Sequence, residues 1–160
     1  MRIELIHPLL VHFPIALLLV GSFLRLAAFC IGKKPRFSFL IPGASLILLL
    51  GVVSAWVAVI FGDIAGDIVA PAIKDISILN EHHEHAHYTA YGFTLALLTD
   101  WLRRFLMDKQ RKRGWMANRG LAIMIWFFYI GGFVNLFVAG YYGSELVYKE
   151  GAAVHQSYDK

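Results

Sequence analysis

The chain has 160 residues, of which 58% are apolar, 14% aromatic and only 16% charged. Soluble domains carry about 25% charged residues, and one core of this size cannot hide so much apolar surface, so lipid must act as a second solvent. The net charge of +4 comes from two short basic segments between apolar runs, which argues against a nucleic-acid partner. Cys30 is the single cysteine; this excludes an intrachain disulfide, and no C-x-x-C-H haem-attachment motif is present.

The N-terminal MRIELIHP lacks a basic n-region, the apolar run behind it is too long for a signal h-region, and no A-x-A site follows. A retained helix is expected there. Apolar runs of about 20 residues predict four spans, at about 8–31, 39–61, 85–102 and 120–142. The expected fold is an all-α integral membrane protein, a four-transmembrane-helix bundle forming a single domain over 1–160. The third span is the most polar, but it closes in TLALLTDWL before Arg103 and Arg104. Between spans two and three, Val69, Ala72, Ile73, Ile76 and Leu79 fall at helical spacing. The expectation there divides between a short interfacial helix roofing the bundle and an ordered loop.

Charge sets the expected orientation. Eleven of the 15 Lys and Arg flank the two loops after spans one and three, whereas nine of the 11 acidic residues lie on the other side. The positive-inside rule then puts both termini outside, in the periplasm of a bacterial inner membrane.

Six of the seven histidines open spans one and three, in HPLLVHFPIAL and EHHEHAHYTAYG. Imidazole inside a bilayer is costly and tends to mark function. His12 lies roughly 7.5 Å deeper than His7 at 1.5 Å per residue, and His83 and His87 share a helix face. Matching depths pairs His12 with His87 as the leading ligand pair and His7 with His83 as a second. His82, His85 and the tail residue His155 are read as interfacial. Pro8 suits a first-turn position, and Pro14 removes a hydrogen bond to the Leu10 carbonyl, so a bend is expected beside His12. Small residues on span two (Gly51, Ala55, Ala58, Gly62, Gly66) and span four (Gly131, Gly132, Gly140) offer flat walls for a porphyrin, or simply close helix packing.

Three chemistries compete at these histidines. Haem b can be held by one histidine from each of two helices. Zinc or copper is the alternative, because His83, Glu84 and His87 spell H-E-x-x-H, although the third ligand is not evident unless His7 or His12 supplies it. A proton-relay cluster is the third. Asp63 and Asp67 are candidate acceptors for a histidine N–H. Tyr91, one turn below His87, is read as core packing or a cofactor contact. Asp100 is read as a helix-surface ion pair with Arg103 and Arg104, and Asn135 as an interhelical hydrogen bond.

The H-P-x-x-x-H-F-P opening, the small-residue helix ending in G-D, the histidine-led third helix and the closing GYYGSELVYKEGAAV resemble a bacterial membrane family known as domain of unknown function 2231. The resemblance covers nearly the whole chain; Ser144 departs from it, standing where glycine is expected. It implies a four-helix membrane domain found near cytochrome c and other respiratory components, with haem b as the suspected ligand. His7 and His12 match its opening motif, and the third-helix histidine falls among His83, His85 and His87. Residues and resemblance together lead to a membrane-embedded b-type cytochrome subunit passing electrons near the periplasmic face. It would hold one haem b on His12 and His87, with a second on His7 and His83 as the extension of that scheme. An electron-transfer subunit is expected rather than a stand-alone enzyme. Its expected partners are the lipid bilayer, other membrane subunits of a respiratory complex, and a periplasmic c-type cytochrome or a quinone-linked enzyme. The competing classes are a zinc- or copper-binding or transport protein without haem, and a structural assembly subunit.

Overall fold

The structure, a computed structural model, describes residues 3–32, 34–109 and 115–154. His155 and the basic residues Arg2, Lys33, Arg111, Lys112, Arg113 and Lys160 lie outside the described residues. Apart from turns, the described chain is helical: α1 (Ile6–Leu10), α2 (His12–Ile31), α3 (Leu40–Val69), α4 (Ile76–Lys109) and α5 (Trp115–Tyr148). Single 3-10 turns lie at Ile3–Leu5, Pro35–Phe37 and Ala70–Ala72.

Three segments, Ile6–Ile31, Pro35–Ala72 and Asn118–Tyr148, are long and apolar enough to cross a membrane. Sequence reading expects four spans. α4, the remaining long helix, is set apart by the polar run from Glu81 to His87 in its early turns. The outward faces are as apolar as the interior: Phe23, Phe29, Ile123, Phe127 and Phe137 are all exposed. That distribution suits a protein solvated by lipid.

Proline and glycine punctuate the helices. Pro14 offers no N–H to the Leu10 carbonyl. Val11, between α1 and α2, keeps helical angles of φ -60° and ψ -24°, donates to the His7 carbonyl at 3.1 Å and accepts the Ile15 amide at 3.3 Å. α1 therefore runs on into α2, with one hydrogen bond missing where the bend is expected beside His12. After α3, Pro71 lies in the 3-10 turn and Ile73 turns extended. Asp75 then caps α4, its Oδ1 accepting the Ser77 amide at 3.0 Å and the Ser77 hydroxyl at 2.6 Å. The segment read as either a short interfacial helix or an ordered loop is therefore the end of α3, one 3-10 turn and the start of α4. Its apolar residues are shared between two long helices that overrun the predicted spans. At the far end of α5, Gly151 adopts φ 67°, and the chain doubles back so that the Ala152 amide donates to the Leu146 carbonyl at 2.9 Å. The Glu150 carboxylate then accepts the Lys74 amide at 2.7 Å, tying this turn to the α3–α4 connection.

α2 packs on α3, α4 on α5, and α3 joins the two pairs. Leu18, Leu48, Val52, Val59, Phe93, Leu97, Ile125 and Tyr129 form the shared core. Small residues set the spacing. A Cβ on Gly21 would lie 2.8 Å from Leu48, and one on Gly92 would lie 2.9 Å from the Gly132 Cα. These are backbone approaches of the small-xxx-small kind.

The two ends of the bundle differ chemically. At one end Asp100 is buried between Arg25 of α2 and Arg104, whose Nη2 lies 2.7 Å from it. Arg104 also donates to Ser45 of α3 at 3.0 Å. The surface ion pair expected for Asp100 is thus a buried tie between helices. Arg103, the other expected partner, bonds Asn118 at 2.7 Å instead. The opposite end carries the histidines and most of the acidic residues, among them Asp63, Asp67, Asp75, Glu81, Glu84, Glu145 and Glu150.

Candidate functional site

His7 rides on α1 and His82 on the second turn of α4. Their rings meet edge to face, with centroids 6.0 Å apart and planes at 84°. His7 Nδ1 lies 2.9 Å from the Ala58 carbonyl oxygen, and His82 Nδ1 lies 2.9 Å from that of Ala139. A carbonyl only accepts, so each Nδ1 carries the proton and each neutral ring keeps an unprotonated Nε2. Both rings stand against glycine. A Cβ on Gly62 would lie 2.8 Å from His7 Cε1, and one on Gly143 would lie 3.1 Å from His82 Cε1.

The two histidines line an apolar pocket of about 380 Å³ bounded by α1, α2, α3, α4 and α5. This falls within the range of small-ligand sites, roughly 300–1,000 Å³. Its walls include Ala55, Ala58, Gly66, Ala86 and Gly140. The small-residue stripe of α3 therefore divides its work: Gly51 packs on Leu18, while Ala55 to Gly66 open the pocket.

A second group lies alongside, where α3 faces α4. Asp63 Oδ1 is 3.3 Å from His83 Nδ1, and Asp63 Oδ2 is 3.8 Å from His87 Nε2. The two imidazoles stack with centroids 4.4 Å apart. His87 Nδ1 donates to the His83 carbonyl at 3.0 Å. One ligand atom from each of the three residues lies within 4.8 Å of the others. Glu84, the central residue of H-E-x-x-H, is exposed.

Depth along the helices pairs His12 with His87 and His7 with His83. The ring pairs in the structure are His7 with His82 and His83 with His87. His12 lines the pocket as an exposed side chain. His85, read as interfacial, bonds Asn135 Oδ1 at 2.6 Å and stacks on Tyr142 at 6.1 Å. Asn135 makes the expected interhelical hydrogen bond, and its amide also donates to the Gly131 carbonyl at 2.8 Å. Tyr91 packs on Trp56 at 5.0 Å. Asp67 is exposed.

A family model described as predicted membrane protein (DUF2231) matches residues 4–156. The chain belongs to this family. The DUF2231 match takes in all residues of the pocket and of the Asp63 cluster. No curated protein and no solved structure matches the chain. In this DUF2231 protein the role of His82 in the pocket is what sequence reasoning missed, and a signal for it existed. Leu79, His82, Ala86 and Thr89 repeat at the three-and-four spacing of a bundle-facing stripe that continues to the buried Phe93. His83 and His87 lie one position around the helix, toward α3.

Proposed function

We propose that the chain is a membrane b-type cytochrome subunit, with His7 and His82 as the residues that hold haem b. The observation that carries this is the pair of Nδ1-protonated imidazoles from two helices, 6.0 Å apart at the wall of an apolar pocket. The donor set fits the group, since haem iron is commonly held by histidine and each of these rings keeps its Nε2 free of the backbone bond made by Nδ1. The main-chain carbonyls of Ala58 and Ala139 fix the tautomers and raise the basicity of the rings. Gly62 and Gly143 make room for those rings, and the apolar walls keep water away. Bound there, haem b supplies a one-electron carrier whose potential the axial ligands and burial tune.

Four crossings are part of this reading. At 1.5 Å per residue the 34 residues of α4 reach about 50 Å, beyond the roughly 30 Å of a hydrocarbon core. His85 to Leu102 can then span while the histidine-rich turns stand at the interface. The basic ends face the cytoplasm by the positive-inside rule, with both termini in the periplasm of a bacterial inner membrane. Electrons pass near the periplasmic face, to or from a c-type cytochrome or a quinone-linked enzyme in a larger complex.

The test is a visible spectrum of the chain purified in detergent after expression with haem supply. The expected result is a Soret band with sharp α and β bands on reduction, lost in both His7→Ala and His82→Ala and retained in His12→Ala and His87→Ala. A protein that stays colourless after haem reconstitution overturns the cytochrome reading. Low-spin spectra surviving in His7→Ala and His82→Ala overturn the ligand assignment.

A further inference from the structure

We infer that Asp63, His83 and His87 form a second site, for a divalent first-row transition metal of the zinc or copper(II) kind, separate from the haem pocket. The decisive observation is that one ligand atom from each of the three residues lies within 4.8 Å of the others. His87 Nδ1 donates to the His83 carbonyl, which leaves Nε2 as the nitrogen on the Asp63 side, 3.8 Å from Oδ2 and too far for a hydrogen bond. A divalent cation fits between the imidazoles and the carboxylate. Ligands at about 2.0–2.2 Å from a tetrahedral zinc lie roughly 3.3–3.6 Å apart. His83 Nδ1 lies 3.3 Å from Asp63 Oδ1 and His87 Nε2 lies 3.8 Å from Asp63 Oδ2, so each imidazole is near that spacing from one of the two carboxylate oxygens.

The surroundings are those of a metal-ligand histidine. The backbone bond at His87 Nδ1 is the outer-shell contact that orients ligating imidazoles. His83 and His87 lie four residues apart on one helix, the spacing of the two histidines in H-E-x-x-H, and Asp63 of α3 supplies the third ligand that the chain order did not reveal. Two nitrogens and one carboxylate oxygen favour zinc or copper(II) over calcium or magnesium. The side chains of His83 and Asp63 are 47% and 44% exposed, which leaves water to complete the coordination. The site shares no residue with the His7–His82 pair and stands or falls apart from it.

The experiment uses the untagged full chain in nanodiscs, stripped with chelator and titrated with Cu²⁺ and, separately, Zn²⁺. The expected result is one tight ion per chain, with a copper(II) electron paramagnetic resonance spectrum showing coupling to two nitrogens. Asp63→Asn and His87→Ala should each weaken binding at least ~10-fold, and Asp67→Asn, on an exposed residue of α3, should leave it unchanged. Circular dichroism and elution volume show that each variant is folded. Binding that is absent, or as tight in folded Asp63→Asn and His87→Ala as in the parent chain, overturns the site. Loss of the haem spectrum in any variant bears on the cytochrome reading alone.

Discussion

Replacing Asp100 by alanine tests whether the basic end of the bundle is held by charge. The Asp100 side chain is 3% exposed and its two partners Arg25 and Arg104 are 18% and 37% exposed. Removing the carboxylate leaves Arg25 largely out of water with no counter-ion, the situation that costs about 3–5 kcal/mol when a buried pair is broken. Arg104 is more exposed and adds little, since accessible ion pairs are worth about 0–1 kcal/mol. Asp100→Asn keeps the shape and one acceptor, so its loss should be smaller, about 1.5–3 kcal/mol, the worth of a hydrogen bond to a charged group. A double replacement, Asp100→Leu with Arg25→Met, should recover most of the stability, because an apolar pair of similar volume replaces a buried ion pair at little cost. Reversible unfolding in mixed detergent micelles measures each value. A loss below about 1 kcal/mol in Asp100→Ala would show that the trio is screened as surface pairs are, and the reasoning would fail.

Glycines of α3 provide a paired comparison. Gly43 has no atom within 4 Å of an added Cβ, so Gly43→Ala should stabilise by about 0.5–1 kcal/mol through helix propensity. Gly62→Ala gains the same propensity but presses on the His7 ring, so it should show little net gain and a weakened haem spectrum; an unaltered spectrum would mean that the ring moves freely. The Asp75 carboxyl is held below its ordinary value of 3.8, first by the Ser77 hydroxyl and then by the Ser77 amide. Its contribution to α4 is therefore complete above that ordinary value and is lost as pH falls through the lower folded one. Amide hydrogen exchange at the start of α4 should accelerate across that acid window in the parent chain and not in Asp75→Asn; equal acceleration in both would refute the capping role.

The helices were legible because their signal is long and cooperative: apolar runs bounded by Gly32, Pro35, Pro71 and Gly151 give up few alternatives. The gathering of histidines and acids at one end followed from helix direction and length alone. The facing of individual rings did not follow. Depth along a helix is fixed by rise per residue, but azimuth depends on which stripe the neighbours bury. On α4 the histidine spacing drew attention to His83 and His87, while the apolar stripe through Leu79, Ala86 and Phe93 carried His82 toward His7. Asp100 reads as a surface ion pair for a related reason. Its helical neighbours Arg103 and Arg104 are visible in sequence, whereas Arg25 arrives from another helix. From sequence Asp63 reads only as an acceptor for a histidine N–H, and its grouping with His83 and His87 depends on the α3–α4 packing.

The two pocket histidines have unequal mountings. His82 belongs to a 34-residue helix keyed into α5 where Gly92 meets Gly132. His7 stands one turn before Val11, on a helical run in which Pro14 leaves the Leu10 carbonyl without its amide, and it meets α3 through its bond to Ala58. A helix lacking one rung of its ladder bends more readily than an intact one. The pocket therefore has a stiff side and a compliant one, and the compliant side carries His7.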